Sequence, residues 1–213
     1  LDAVRIFEAA AEGPVKALWI AGCNPLASTP NAEQVRRALQ NVELLVVQDC
    51  YHPTETSQFA HAVLPAAMSL EVEGTMTNSE RRVSLLRPCL QPPGEARPDW
   101  EIVCRFATLL GYGSQFSFTT AANIFEEHKR CCSDVYQLQM NGISYKRLKR
   151  HAVQWPCPGY SSYGIARRYR RKIFATADGR ARFHPVDYRS PSDEVSPEFP
   201  FVLNTGRLAT QWH

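Results

Sequence analysis

Ala17-Leu18-Trp19-Ile20-Ala21-Gly22-Cys23-Asn24-Pro25 and, further on, Leu44-Leu45-Val46-Val47-Gln48-Asp49 decide how this chain folds. Each is a short apolar run that breaks off into polar residues. Continuous apolar runs, rather than alternating ones, are what strands buried on both faces of a parallel sheet require. Between the two runs, Asn31 is placed to cap a helix that carries Val35, Ala38 and Leu39 on one side. The unit therefore reads strand, helix, strand. Upstream, Leu1, Val4, Ile6, Phe7 and Ala10 recur at helical spacing and are closed by Gly13-Pro14. Downstream, a helix is expected over 54–61 and a short strand over 62–64. Alternation of this kind predicts an α/β fold with a doubly wound, mostly parallel sheet occupying residues 1–150.

From Glu71 the texture changes to Gly, Thr, Asn and paired Arg, with a strand-like run at 83–86 and the turn-rich Pro92-Pro93-Gly94. This stretch reads as an irregular surface excursion. Asp99 is placed to cap a helix in which Ile102, Val103, Phe106, Leu109 and Leu110 share a face, and a further helix is expected over 121–130. Residues 151–198 are rich in Pro, Gly, Ser, Tyr and Arg and read as an irregular linker, after which a new strand starts at Phe199.

Composition narrows the function. The chain has 24 Lys and Arg against 21 Asp and Glu, a balance that gives no charge argument for nucleic acid. One basic run, Arg167-Arg168-Tyr169-Arg170-Arg171-Lys172, interleaves an aromatic with cations and could track a nucleic-acid backbone, but with no second basic patch it reads as a solvated or partner-facing surface. No apolar run approaches the roughly 20 residues that span a bilayer, and no charged-then-apolar leader opens the chain. The seven Cys form no C-x-x-C pair, which points to free thiols in a reducing cytoplasm; adjacent Cys131 and Cys132 lack a second ligand pair. The start at Leu1 and the end at Gln211-Trp212-His213 are read as cuts from a longer polypeptide.

Chemistry concentrates where the two buried strands end. Gly22-Cys23-Asn24-Pro25 and Gln48-Asp49 fall at neighbouring carboxyl ends, the usual ligand crevice of an open α/β sheet. An Asp there can accept two hydrogen bonds from a guanine, and Asn or Gln amides can meet a carbonyl or a ribose hydroxyl. Ordinary loop capping by Asn24 and Asp49 is the competing reading. Neither loop is G-x-G-x-x-G, so a nicotinamide site is disfavoured. The stretch 71–82 holds paired carboxylates and paired guanidiniums, suited to acid/base work, to phosphate binding or simply to a salt-bridged loop. There is no H-E-x-x-H and no G-x-S-x-G, which removes a zinc hydrolase and a serine hydrolase of the common kinds.

Taken in order, Trp19 to Pro25, Val46-Val47-Gln48-Asp49, Thr54-Glu55-Thr56, Val63-Leu64-Pro65-Ala66-Ala67, Glu73-Gly74-Thr75, Thr77-Asn78-Ser79-Glu80-Arg81-Arg82 and Pro93 to Trp100 resemble the third domain of molybdopterin oxidoreductases, the dimethyl sulfoxide reductase family. Gly142-Ile143-Ser144-Tyr145, Gln154-Trp155-Pro156-Cys157-Pro158 and Asp178-Gly179-Arg180-Ala181-Arg182-Phe183 resemble the assimilatory nitrate reductases of that family, with formate dehydrogenases a weaker match. Thr205-Gly206-Arg207 and Gln211-Trp212-His213 are similar to the opening of the family's C-terminal β-barrel domain. The resemblance implies a cofactor-binding α/β domain over 1–150, an interdomain linker over 151–198 and the start of the barrel over 199–213.

It also implies molybdenum-bis(molybdopterin guanine dinucleotide) as cofactor, with a four-iron four-sulfur cluster in a missing N-terminal part. Asn24, Gln48, Asp49 and Asp99 match positions that contact one dinucleotide. Thr205, Gly206, Arg207, Gln211, Trp212 and His213 match a turn around the pterin and phosphates, where backbone N–H groups and a guanidinium suit anionic oxygens. No catalytic residue and no metal ligand is implied within the chain. The expected partners are the remainder of the polypeptide and an electron donor such as ferredoxin, flavodoxin or a reductase subunit, with no nucleic acid and no membrane. One departure stands out: Val72 lies between two carboxylates where related enzymes often carry Lys. A formate dehydrogenase, or a cofactor-free interaction domain of the same fold, is the alternative.

Overall fold

The computed structural model describes residues 2–132, 134, 138–160, 163–170, 172–191 and 194–203. Helix α1, Ala3–Glu12, starts where the Asp2 side chain accepts from the Arg5 N–H at 2.9 Å and stops at Gly13, whose φ of 101° is left-handed. A glycine suits that closing position because a Cβ would strain it. Strand β1, Ala17–Ala21, follows, then the short helix α2, Pro25–Ser28, helix α3, Ala32–Asn41, and strand β2, Leu44–Asp49. Asn31 caps α3 as its sequence position suggests, accepting from the Gln34 N–H.

Strands β1 and β2 pair in parallel, and β2 pairs in parallel with β3, Ala62–Pro65, in the order β1-β2-β3. The helix expected over 54–61 is only a single 3-10 turn at Ser57–Phe59. Thr54, Ser57 and their backbones bond to one another instead, with Ser57 Oγ accepting from the Thr54 N–H at 2.7 Å. Hydroxyls that compete for local N–H groups favour such turns over a continued helix.

One face of this sheet packs on α1 and α3. Ile20, Leu45 and Val47 meet Phe7, Ala10, Val35, Ala38 and Leu39 in a core where Leu45 and Ala38 have no exposed surface. Each buried Leu or Val of this set contributes about 2 kcal/mol. The other face takes helix α4, Asp99–Leu109: Trp19 sets its ring edge-on to Phe106 at 4.8 Å. The sheet is thus covered by helices on both sides, as the continuous apolar strands demand. Arg97 extends it beyond β3, through Arg97 N–H to Pro65 C=O and Ala67 N–H to Arg97 C=O.

The stretch read as irregular is ordered. Strand β4, Gly74–Thr77, and strand β5, Arg82–Leu86, form an antiparallel hairpin, and β5 pairs with β6, Val153–Gln154. Asn78 Oδ1 makes the turn by accepting from the Glu80 and Arg82 N–H groups. The hairpin buries Val83 against Phe125 of helix α5, Ala121–Cys131, against Leu148 of the short helix α6, Tyr145–Leu148, and against Met140, Ile143, Val153 and Cys157. Residues 153–157, inside the stretch read as a linker, therefore belong to a second apolar core. Their strand partner lies some 70 residues upstream, at Arg82 and Val83, so no local pattern announces it.

Backbone contacts divide the chain into a unit over Leu1–Arg168 and a smaller one over Tyr169–His213. In the smaller unit Asp178 closes a turn by accepting from Thr176 Oγ1 and the Arg180 N–H, and the Tyr169 and Phe174 rings stack at 4.7 Å. Residues 199–203 form no strand, and Phe201, Val202 and Leu203 are exposed. Of the barrel opening expected over 199–213, the residues from 204 on lie outside the described residues, with Thr205, Gly206, Arg207, Gln211, Trp212 and His213.

Candidate functional site

The parallel sheet sets the site, because its three strands end together and the N-terminus of α4 arrives beside them. β1 is followed by Gly22, whose φ of 61° turns the chain while its N–H still donates to Gln48 C=O at 2.9 Å. Gln48 lies on the α4 face of β2 and is 1% exposed. Its Nε2 donates to Asp99 Oδ1, in the first turn of α4, at 2.5 Å. That contact fixes the amide's orientation, since the reverse would set carbonyl against carboxylate. Oε1 is then left buried with no partner among the described residues. Asp99 sits at the first helical position, where the free N–H groups favour an anion, and Pro98 takes the preceding capping position.

Asp49, half-buried at the end of β2, accepts from the Tyr51 N–H at 2.9 Å. The thiol pKa of Cys50 is raised first by burial, then by the Asp49 charge and hydrogen bond, and Asp99 adds to the same direction. Gln48, Asp49, Cys50 and Asp99 therefore gather at one edge, three of them rich in acceptor oxygens. Such an edge suits a ligand that presents N–H or O–H donors.

Asn24 has a different place. Its Nδ2 donates to Glu55 Oε2 at 2.6 Å, and its Oδ1 accepts from Thr56 Oγ1 at 2.6 Å and from the Thr56 N–H at 3.3 Å. Thr56, with no exposed surface, also accepts from the Leu26 N–H at 3.2 Å. The amide of Asn24 is spent on bracing the loop after β1 against the turn after β2. The bond from Asn24 lowers the Glu55 carboxyl pKa. Thr56 as the buried hub of this brace is what sequence reasoning missed; the polar run Thr54-Glu55-Thr56 was its only trace.

Of the charged stretch 71–82, Arg81 is committed to structure. Its guanidinium donates to the Trp155, Ile165 and Ala166 carbonyls and lies 5.6 Å from the centre of the Trp155 ring. Glu71 accepts from the Met68 N–H. Arg168, from the basic run, packs on Trp155 as well, at 5.6 Å. Among the described residues no three His, Cys, Asp or Glu side chains are arranged to hold a metal ion, and no helix is long and apolar enough to cross a membrane.

Comparison with known proteins agrees with this architecture. An acetylene hydratase from Pelobacter acetylenicus superimposes with a TM-score of 0.52 at 27% identity, over 57% of this chain and 17% of that one. The alpha subunit of an F420-dependent formate dehydrogenase from Methanocaldococcus jannaschii is 41% identical over 199 residues, 93% of this chain and 28% of that protein. A nitrate reductase from Synechocystis is 40% identical over 218 residues, 100% of this chain and 30% of that protein. The chain thus spans less than a third of the length of these relatives, and the nitrate and formate enzymes stand level in identity. Residues 1–109, which carry the whole parallel sheet and α4, match the molybdopterin oxidoreductase family, and with relatives at about 40% identity across 93% or more of its length the chain belongs to that family.

Proposed function

We propose that the chain is part of a molybdenum oxidoreductase that reduces nitrate to nitrite, and that it holds one of the enzyme's two molybdopterin guanine dinucleotides. The family implies a molybdopterin-type cofactor. The observation that carries the guanine assignment is the buried, unpartnered Gln48 Oε1, on an amide bonded to Asp99, at the strand end where Asp49 follows. An orphaned buried carbonyl costs about 1–3 kcal/mol, which a bound donor recovers. Guanine offers such donors at its ring N–H and amino group, and a carboxylate accepts from both at once.

In this reading Asp49 and Asp99 hold the guanine or its ribose and Gln48 completes the set. Asn24 contributes by bracing the loop that forms the rim. Thr205, Gly206, Arg207, Gln211, Trp212 and His213 wrap the pterin and phosphates, at the opening of a barrel domain that starts near 199. When bound, the molybdenum supplies the two-electron chemistry; the residues of this chain bind and orient the group that carries it. The metal ligand and a four-iron four-sulfur cluster belong to other parts of the polypeptide. A soluble donor of the ferredoxin, flavodoxin or reductase kind delivers electrons in the cytoplasm.

Nitrate is favoured over formate because the nitrate reductase aligns with the full chain and the formate dehydrogenase with 93% of it. Of the second-half motifs that suggest nitrate, Gly142 to Tyr145 and Gln154 to Pro158 pack in the second core, with Ile143 and Cys157 fully buried, so these two mark kinship and not substrate contact. Formate remains the second reading on the strength of its 41% identity.

The test uses the full-length enzyme from a cofactor-competent host, with molybdenum and acid-released guanine nucleotide quantified beside nitrate-dependent oxidation of reduced viologen. Asp49→Ala is expected to lower molybdenum, nucleotide and activity together. Unchanged nucleotide content in that variant removes Asp49 from the pocket. Formate-dependent dye reduction without nitrate activity moves the assignment to formate, and a wild type that binds no molybdenum leaves an interaction domain.

A further inference from the structure

A second concave site lies away from the sheet edge, on the core beneath the hairpin. The end of α6 and the residues after it form a cavity of about 440 Å³ lined by Lys146, Arg147, Arg150, His151, Tyr160 and Tyr163, with Ser144 at its rim. It shares no residue with the Gln48, Asp49 and Asp99 cluster. None of its lining residues is acidic. Lys146 and Arg150 are exposed and enter no ion pair among the described residues.

Arg147 gives the cavity a fixed wall. Its Nη1 donates to Gly142 C=O at 2.9 Å and to Tyr160 C=O at 3.2 Å, and its guanidinium carbon lies 5.7 Å from the centre of the Tyr163 ring. The His151 ring lies 6.5 Å from the same tyrosine ring. Three permanent cations drawn from five consecutive residues repel one another across a shared hollow, and an anion placed among them relieves that repulsion. Because the wall is held before any ligand arrives, binding does not have to order it.

We propose that this cavity binds a small polyanion bearing phosphate or carboxylate groups, at a site separate from the molybdopterin cofactor. The volume lies in the range of small-molecule pockets, about 300–1,000 Å³, and exceeds what a single monovalent anion fills. Three cationic side chains match a ligand of at least two negative charges.

The experiment is isothermal titration calorimetry of the full-length enzyme at low ionic strength, with pyrophosphate in one arm and citrate in the other. Saturable binding in either arm is expected, and the arm that binds tells phosphate from carboxylate. Lys146→Ala/Arg150→Ala weakens it at least about tenfold, the loss of one charge-assisted contact or more. Lys146→Gln/Arg150→Gln keeps the aliphatic stems and is expected to show the same loss, which assigns the effect to charge. The proposal is overturned if neither anion binds saturably, or if affinity survives in either double variant.

Discussion

Thr56→Val tests the brace on which the candidate site stands. Valine keeps the shape of threonine, so the fully buried position is neither opened nor overfilled. What disappears is the hydroxyl that donates to Asn24 Oδ1 at 2.6 Å and accepts from the Leu26 N–H at 3.2 Å. Two hydrogen bonds at about 1 kcal/mol each, with the added cost of stranding a half-buried N–H, give a local loss of about 2–3 kcal/mol. An opening free energy lowered by about 2 kcal/mol raises amide exchange about 30-fold. Hydrogen exchange read by mass spectrometry on peptides covering 22–29 of the full-length enzyme measures it, at the Leu26 amide. Thr56→Ser keeps both bonds and is expected to protect that amide nearly as well as the wild type. If Thr56→Val exchanges at Leu26 within about threefold of wild type, the hydroxyl does not hold the loop, and Asn24 must be assigned another role.

Gln48→Leu is expected to leave thermal stability within about 1 kcal/mol of wild type while bound molybdenum falls, read by unfolding midpoint and metal analysis. Gly142→Ala places a Cβ 2.2 Å from the Gly159 carbonyl oxygen and 2.8 Å from Cys157 Sγ, a clash with backbone that cannot be relieved by a rotamer. It should destabilise the second core by about 3 kcal/mol, visible as a lowered denaturant midpoint. The raised thiol of Cys50 leaves less thiolate at any given pH, so its alkylation by iodoacetamide reaches half its maximal rate at a higher pH than an ordinary cysteine. Asp49→Asn removes one charge behind that shift and should bring the midpoint down; an unmoved pH profile would separate the two residues.

The parallel sheet was legible because burial on both faces writes itself locally, in Ala17 to Ala21 and Leu44 to Val47, and the structure returns those strands nearly residue for residue. Asn31 and Gly13 were legible for the same reason: a cap acts within a turn of its own position. The hairpin and its core were not. Val83 is buried by Phe125, Leu148 and Val153, residues whose nearness depends on chain reversals that leave no periodic trace. Site residues follow the same division. Gln48 and Asp49 could be placed at a strand end from sequence, but the bond from Gln48 to Asp99 joins positions 51 residues apart, and only the packing of α4 creates it. Asn24 lies in the loop after β1 as its sequence position suggests, yet its amide turns toward Thr56, a partner that no spacing rule supplies.

Gln48 is where a role in stability can be told from a role in ligand binding. A sheet built only to fold would place an apolar residue at this buried position, as β2 does at Leu45 and Val47 on the opposite face. An amide there satisfies one end on Asp99 and leaves the other unmet, a cost of about 1–3 kcal/mol. If the amide served the fold by tethering the start of α4, leucine would destabilise the domain. If it serves a donor-bearing ligand, leucine removes an unsatisfied carbonyl, stability holds or rises, and ligand retention falls. Because the two explanations predict opposite signs for the same substitution, unfolding and cofactor content measured on one preparation decide between them.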